Sequence, residues 1–258
     1  MRQPEVGEAM QRPPGEEARE RLLHARGTES RGGQPTSSRT RARSQAAIVA
    51  IAPAVLLAGL VAHPYIGLGP LDEAAIAAAV VSQTTRWGLA HLTVGVASGL
   101  AVLAFLAVRS YLREAGEERW SALAFPFIVI GSTLFAVLPG MEFAPLAAAQ
   151  TGGDVQAVQA ALFPWFFSVL LTGALTFTLG ALGFAKGITD SGILSRRLTW
   201  LVVGALVVLA AARFVPLALV QFYVQGVAGI VALWPLAYKM WKQPEARPAA
   251  HARTLPAA

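Results

Sequence analysis

Six long apolar blocks alternate with short polar segments along the chain, at about 46–65, 87–108, 120–139, 162–185, 198–214 and 217–239. Each is near the ~20 residues that a helix needs to cross the hydrocarbon core of a bilayer. The pattern predicts an all-α fold, a six-helix transmembrane bundle. The polar segments are of two kinds. Residues 1–45, 109–119, 186–197 and 240–258 hold nearly all the Lys and Arg, whereas 66–85 and 140–161 hold Asp72, Glu73, Glu142 and Asp154 and no basic residue. Basic loops stay on the cytoplasmic side, so the alternation predicts cytoplasmic N- and C-termini. Trp87 and Trp165 fall near expected outer ends of spans, and Trp120, Trp200, Trp234 and Trp241 near inner ends, as in an interfacial aromatic belt.

The acidic segments carry local signals. Pro70 with Asp72 and Glu73 suits the start of a short helix lying at the outer surface. Asp154 suits an N-cap for the run into the fourth span. Val215 precedes Pro216, so the fifth helix should stop there and the sixth restart, with the proline as its first residue. No internal repeat stands out, which leaves an inverted-repeat transporter without its best sequence support.

The first 45 residues differ in kind, being rich in Arg, Glu, Gly, Pro and Ser with no apolar period. They bury too little surface to offset ordering entropy and are expected to form a disordered, basic cytoplasmic tail. The expected organisation is a tail over 1–45, a six-helix transmembrane domain over 46–240 and a cytoplasmic tail over 241–258. No apolar core follows an initial basic region, so the N-terminus does not read as a signal peptide; Met10 is an alternative start.

Composition adds exclusions. Of 258 residues 55% are hydrophobic and 14% charged, against about 25% charged in a soluble domain, and the mean hydropathy is +0.52. The absence of Cys removes disulfides, thiolate metal sites and cysteine nucleophiles. The absence of Asn removes glycosylation sequons. The preponderance of Arg over Lys, with abundant Ala, points to a bacterial genome rich in GC. A net charge of +6 belongs with the positive-inside pattern; no aromatic-interleaved basic module is present, and nucleic acid is not an expected partner.

Two stretches carry a resemblance. "DEAAIAAAVVSQTTRWGLAHLTVG" is an acidic, Ala-rich segment that ends in Arg86-Trp87-Gly88 before a span. "LGALGFAKGITDSGILSRRLTWLVVGALVVL" ends a helix in Ser191-Gly192, followed by Leu194 and Arg196 before the next span. In order and spacing they resemble the Arg-x-Gly helix start and the Ser-Gly-x-Leu-x-Arg cytoplasmic turn of a bacterial integral membrane protein family known only as a domain of unknown function. The resemblance covers roughly residues 46–240. It departs in the long basic tail and in Lys186-Gly187, where an aromatic-Arg pair is the family pattern. It implies a small helical bundle and no established activity.

Ionisable groups inside lipid are costly and face protein or water. His63, His91, Glu142, Arg213, Gln221 and Gln225 all fall toward the expected outer ends. His91 lies five residues past Arg86, about 7 Å deeper, and Arg213 lies 16 residues from Arg197, about 24 Å across a core of about 30 Å. His91, Gly95 and Gly99 share a helical stripe, as do Gln221, Gln225 and Gly229, and Ser168, Thr172, Thr176 and Gly180. These stripes read as close helix contacts. They fit an outward polar pocket, but interhelical hydrogen bonding with no ligand is the favoured expectation, since Ser and Thr often bond their own backbone. Arg213 is expected either to snorkel or to pair with Glu142, with Gln221 completing a network.

No HExxH, GxSxG or phosphate-loop pattern is present, so no catalytic residue, metal site or cofactor is assigned. The leading expectation is a non-enzymatic binding or accessory protein of the bacterial plasma membrane, with the lipid bilayer and a protein or small ligand as partners. The alternatives are a small transporter or permeation protein, and a haem- or quinone-linked redox protein using His63 and His91. For zinc, Glu142 is the one obvious further ligand.

Overall fold

The computed structural model describes residues 34–70 and 72–242. From Ala42 onward these form one packed unit. In chain order the helices are α1 (Gln34–Ala62), α2 (Glu73–Ser82), α3 (Thr84–Glu114), α4 (Arg119–Met141), α5 (Phe143–Thr151), α6 (Val155–Ser191) and α7 (Arg196–Ala211). A 3₁₀ turn (Ala212–Phe214), a π-helical segment (Leu219–Val224) and α8 (Gln225–Trp241) complete the fold. Among the described residues there is no strand, only an isolated bridge between Pro70 and Leu217. Among the described residues six segments are long and apolar enough to cross a membrane: Thr40–Ala62, Thr84–Glu114, Arg119–Thr151, Val155–Ser191, Arg196–Phe214 and Leu219–Trp241. The chain is a multipass membrane protein with a six-helix α-bundle.

The expected tail over 1–45 lies outside the described residues as far as 33; 34–45 are the opening turns of α1, so the helix starts before the apolar block does. The tail expected over 241–258 lies outside them from 243 onward, and Trp241 is the last residue of α8.

Close approach of α4 and α6 organises the interior. Gly131 and Gly180 sit where a Cβ would come within 2.6 Å of the Phe177 backbone nitrogen and 2.8 Å of that of Ile128. Small residues allow this contact, which dispersion then rewards in a lipid setting. Around it Phe105, Phe177 and Phe184 meet edge-on, Phe105 lying 6.0 and 4.9 Å from the other two. Leu112, Ile128, Leu206 and Leu236 fill the same core. Helix α8 closes on α1 through the Trp234 Nε1–H donated to the Ala50 carbonyl at 3.0 Å and through Gly226, which faces Leu57. A second, smaller cluster of Ala79, Val80, Trp87, Leu146 and Val155 seats the short helices at the end carrying the acidic loops.

The caps expected at that end form. The Asp72 carboxylate accepts from Ala74 N at 2.9 Å and starts α2; Asp154 accepts from Ala157 N at 2.9 Å and starts α6. At the other end, buried Glu117 accepts from the backbone nitrogens of Trp120 and Ser121, at 2.6 and 3.3 Å, at the start of α4.

Several expectations need correction. Residues 140–161 are not simply a loop: α4 runs through Pro139 to Met141, and 143–151 form α5, with Pro145 tolerated in its first turn. The last span restarts after Pro216 rather than on it, in π rather than α geometry. Gly99 meets nothing within 4 Å of a built Cβ, so its stripe is not a close helix contact there. Ser168 and Thr172 are exposed, and Ser168 and Thr176 donate to their own helix carbonyls at 2.8 Å. Trp165, Trp200, Trp234 and Trp241 are exposed as a belt requires, but Trp87 is 2% exposed and belongs to the smaller cluster.

Candidate binding cavity

A cavity of about 320 Å³ lies between the two hydrophobic clusters, at the end of the bundle with the acidic loops. That is the lower end of the range for small-molecule sites. Its walls are mainly apolar, and all six residues singled out from the sequence line it: His63, His91, Glu142, Arg213, Gln221 and Gln225.

His63 follows the last turn of α1. Arg86, at the start of α3, fixes that turn: its Nε donates to the Ala62 carbonyl at 2.7 Å and its Nη2 to the His63 carbonyl at 3.3 Å. The end of a helix leaves carbonyls without intrahelical donors, and the guanidinium supplies them. The His63 ring stacks on Phe222 at 4.6 Å and lies 4.8 Å from Trp87 and 5.1 Å from His91. Its Nδ1 is 2.8 Å from the Pro64 carbonyl, and the Nδ1 of His91 is 2.8 Å from the Trp87 carbonyl. In the neutral rings those contacts put the proton on Nδ1 and leave both Nε2 atoms as lone-pair acceptors. Burial, aided by the neighbouring His91 and the Arg86 guanidinium, lowers the His63 pKa to about 4.

Arg213 sits on the 3₁₀ turn, 8% exposed. Its guanidinium carbon lies 3.8 Å from the ring centres of both Phe135 of α4 and Phe177 of α6. The two phenyl faces hold the cation through its π-faces and leave only its edges for hydrogen bonding. The expected ion pair with Glu142 does not form: Arg213 Nε and Nη1 have no partner, nor does Glu142 Oε2. Glu142 is carried on the hinge between α4 and α5, a helix the sequence did not announce, while the two rings draw the guanidinium inward.

Two further wall residues carry buried atoms without partners, Trp87 Nε1 and Gln159 Oε1. A buried polar group left unpaired costs about 1–3 kcal/mol, so four such residues around one cavity is an arrangement that a polar guest would relieve. In the sequence Gln159 is marked only as a polar residue in the turn after the Asp154 cap, and the composition of Trp87 suits the interface. The donors of Trp87 and Arg213 and the acceptors of Glu142, Gln159 and the two imidazoles belong to residues that line the cavity.

Among the described residues, no three His, Asp or Glu side chains converge as a metal site. His63 and His91 touch edge-on, leaving no gap between them for a macrocycle. No family model, curated protein or solved structure matches the chain, so the resemblance rests on its two short motifs.

Proposed function

We propose that this is a non-enzymatic binding protein of the bacterial plasma membrane, which holds a small ligand in the cavity between the two clusters. The carrying observation is the set of buried, unpartnered polar atoms on Trp87, Glu142, Gln159 and Arg213 around one space. Unpaired buried groups are rare in folded proteins and call for an explanation. Native mass spectrometry from mild detergent tests the reading. A reproducible mass excess that Arg213→Met removes is the expected result; a bare chain under all mild conditions, with no response to added ligands, refutes it.

The cavity is proposed to face the cell exterior, with both termini in the cytoplasm. Arg109, Arg113, Arg196 and Arg197 lie at the opposite ends of α3 and α7, and the positive-inside rule supports this orientation. Cysteines at the exposed Ser82 and Thr151 should react with an impermeant thiol reagent on intact cells; protection of both overturns it. A small transporter remains the second reading, supported by the exposed Glu73 on the cavity wall, which gives a ligand a water-facing approach.

A further inference from the structure

We propose that the cavity binds the ring of a lipid-soluble quinol or quinone, reached from the bilayer past the N-terminal half of α6. The proposal deepens the binding reading above and rests on it.

The first argument is access. Helix α6 buries Val155 and then no residue until Gly173, although its later half packs closely on α4. These 18 steps span about 27 Å. Leu162, Phe163, Phe166 and Leu170 from this stretch line the cavity, yet Phe163 is 55% exposed. One wall of the cavity is therefore a single layer of side chains against lipid. Pro164 lies midway, where it removes a backbone donor and weakens the helix against bending. Neighbouring Trp165 is 70% exposed, which suits the boundary between headgroups and acyl chains. A guest at this depth can keep an apolar tail in the bilayer while its head fills the cavity.

The second argument is charge. Arg213 is the one Arg or Lys among the described wall residues, and Glu73 and Glu142 are the acids. A guanidinium does not lose its proton under ordinary conditions. A carboxylate or phosphate headgroup would meet Arg213 but share the cavity with Glu142; an ammonium would face the reverse conflict. An uncharged head meets neither objection.

The third argument is hydrogen bonding and shape. The unpartnered groups include donors on Trp87 and Arg213 and acceptors on Glu142 and Gln159. A single aliphatic hydroxyl brings one donor and leaves part of this set unpaired. A ring with two oxygens answers both halves: as a dione it accepts from the indole and guanidinium, and as a diol it also donates to the carboxylate or amide oxygen. The rings of His63, Trp87, His91, Phe135, Phe166 and Phe222 border the cavity, and planar aromatic guests gain from offset stacking on such walls. The proposal is of binding, with no electron-transfer step.

The test uses the full chain in detergent micelles, titrated with a short-tailed benzoquinone analogue and its reduced diol, and in parallel with oleate and decanol. Binding is read by the thermal unfolding midpoint and by quenching of tryptophan emission. The expected result is saturable binding of the quinone pair, weakened at least about tenfold by Gln159→Leu and by Trp87→Phe, and unchanged by Leu179→Ala on the lipid face. Binding that is not saturable, or that Gln159→Leu and Trp87→Phe both leave intact, overturns the proposal. So does a saturable response to oleate or decanol without one to the quinone pair. If the quinone pair fails while native mass spectrometry still finds a bound small molecule, the ligand class is wrong and the binding reading stands; if both fail, both are wrong.

Discussion

Replacing Arg213 with Met should leave the ligand-free protein more stable. The guanidinium gains from two phenyl faces at 3.8 Å, each contributing about 0.5–2 kcal/mol. Against this, Nε and Nη1 are buried without partners, at about 1–3 kcal/mol each. A buried charge without a counter-ion in contact costs several kcal/mol more. Met is unbranched, fits between two rings and recovers about 0.3–1.5 kcal/mol for each sulfur–aromatic contact. Even with the largest cation–π gain and the smallest penalties, the balance favours Met by about 1 kcal/mol or more. For a chain of this size each kcal/mol moves the midpoint by about 2–4 °C, so a rise of several degrees is expected in thermal unfolding of ligand-free protein in detergent. Stabilisation that removes ligand response is the usual signature of a residue kept for binding. A loss of about 3 kcal/mol or more would refute the reasoning, because it would mean that the guanidinium is satisfied and fastens α4 to α6. Lys at the same position should be worse than either, since a compact ammonium cannot lie flat between the two rings.

The remaining predictions concern pH and packing. His63 is neutral in the folded state, its pKa lowered from 6.5 to about 4, so the unfolded chain takes up a proton that the folded one does not as pH falls below 6.5. Stability from this group is fully present above pH 6.5 and is lost progressively down to about pH 4, by up to about 3 kcal/mol. Thermal midpoints over that range should show a shallower slope for His63→Gln, and equal slopes would refute the assignment. Gly131→Ala should destabilise by about 1–3 kcal/mol or more through overpacking, because a Cβ would strike the Phe177 backbone. Gly99→Ala, with open space around it inside α3, should be neutral or stabilising by up to about 1 kcal/mol in the same measurement, since Ala favours the helix over Gly.

The sequence carried the spans, the two N-caps and the gathering of six polar residues at one end, and each has a local cause. Span length follows from apolar run length, and Asp72 and Asp154 announce helix starts by type and position. His63, His91, Glu142, Arg213, Gln221 and Gln225 share a depth because their distances from the basic ends are similar. The other features depend on which faces meet. In lipid an apolar stripe has no preference between a neighbouring helix and the bilayer, so spacing alone could not separate Gly131, which touches Phe177, from Gly99, which touches nothing. Phe135 and Phe177 read as ordinary apolar residues until α4 and α6 bring them to either side of Arg213. Trp87 has the composition of an interfacial anchor; it is buried because α2 and α5 fold over it, and α5 has no polar period to announce it.

The π-helical segment Leu219–Val224 ties the cavity to a count of residues. A π turn accommodates one residue more than the α turn it interrupts. The extra residue is absorbed within the segment, so deleting one residue there would let α geometry run on while the stretches on either side kept their faces. The residues re-aimed would be those inside the segment, where Gln221 and Phe222 line the wall and Phe222 stacks on His63 at 4.6 Å. A chain with the same residue types and one fewer position in this segment would keep its six spans and have a different cavity.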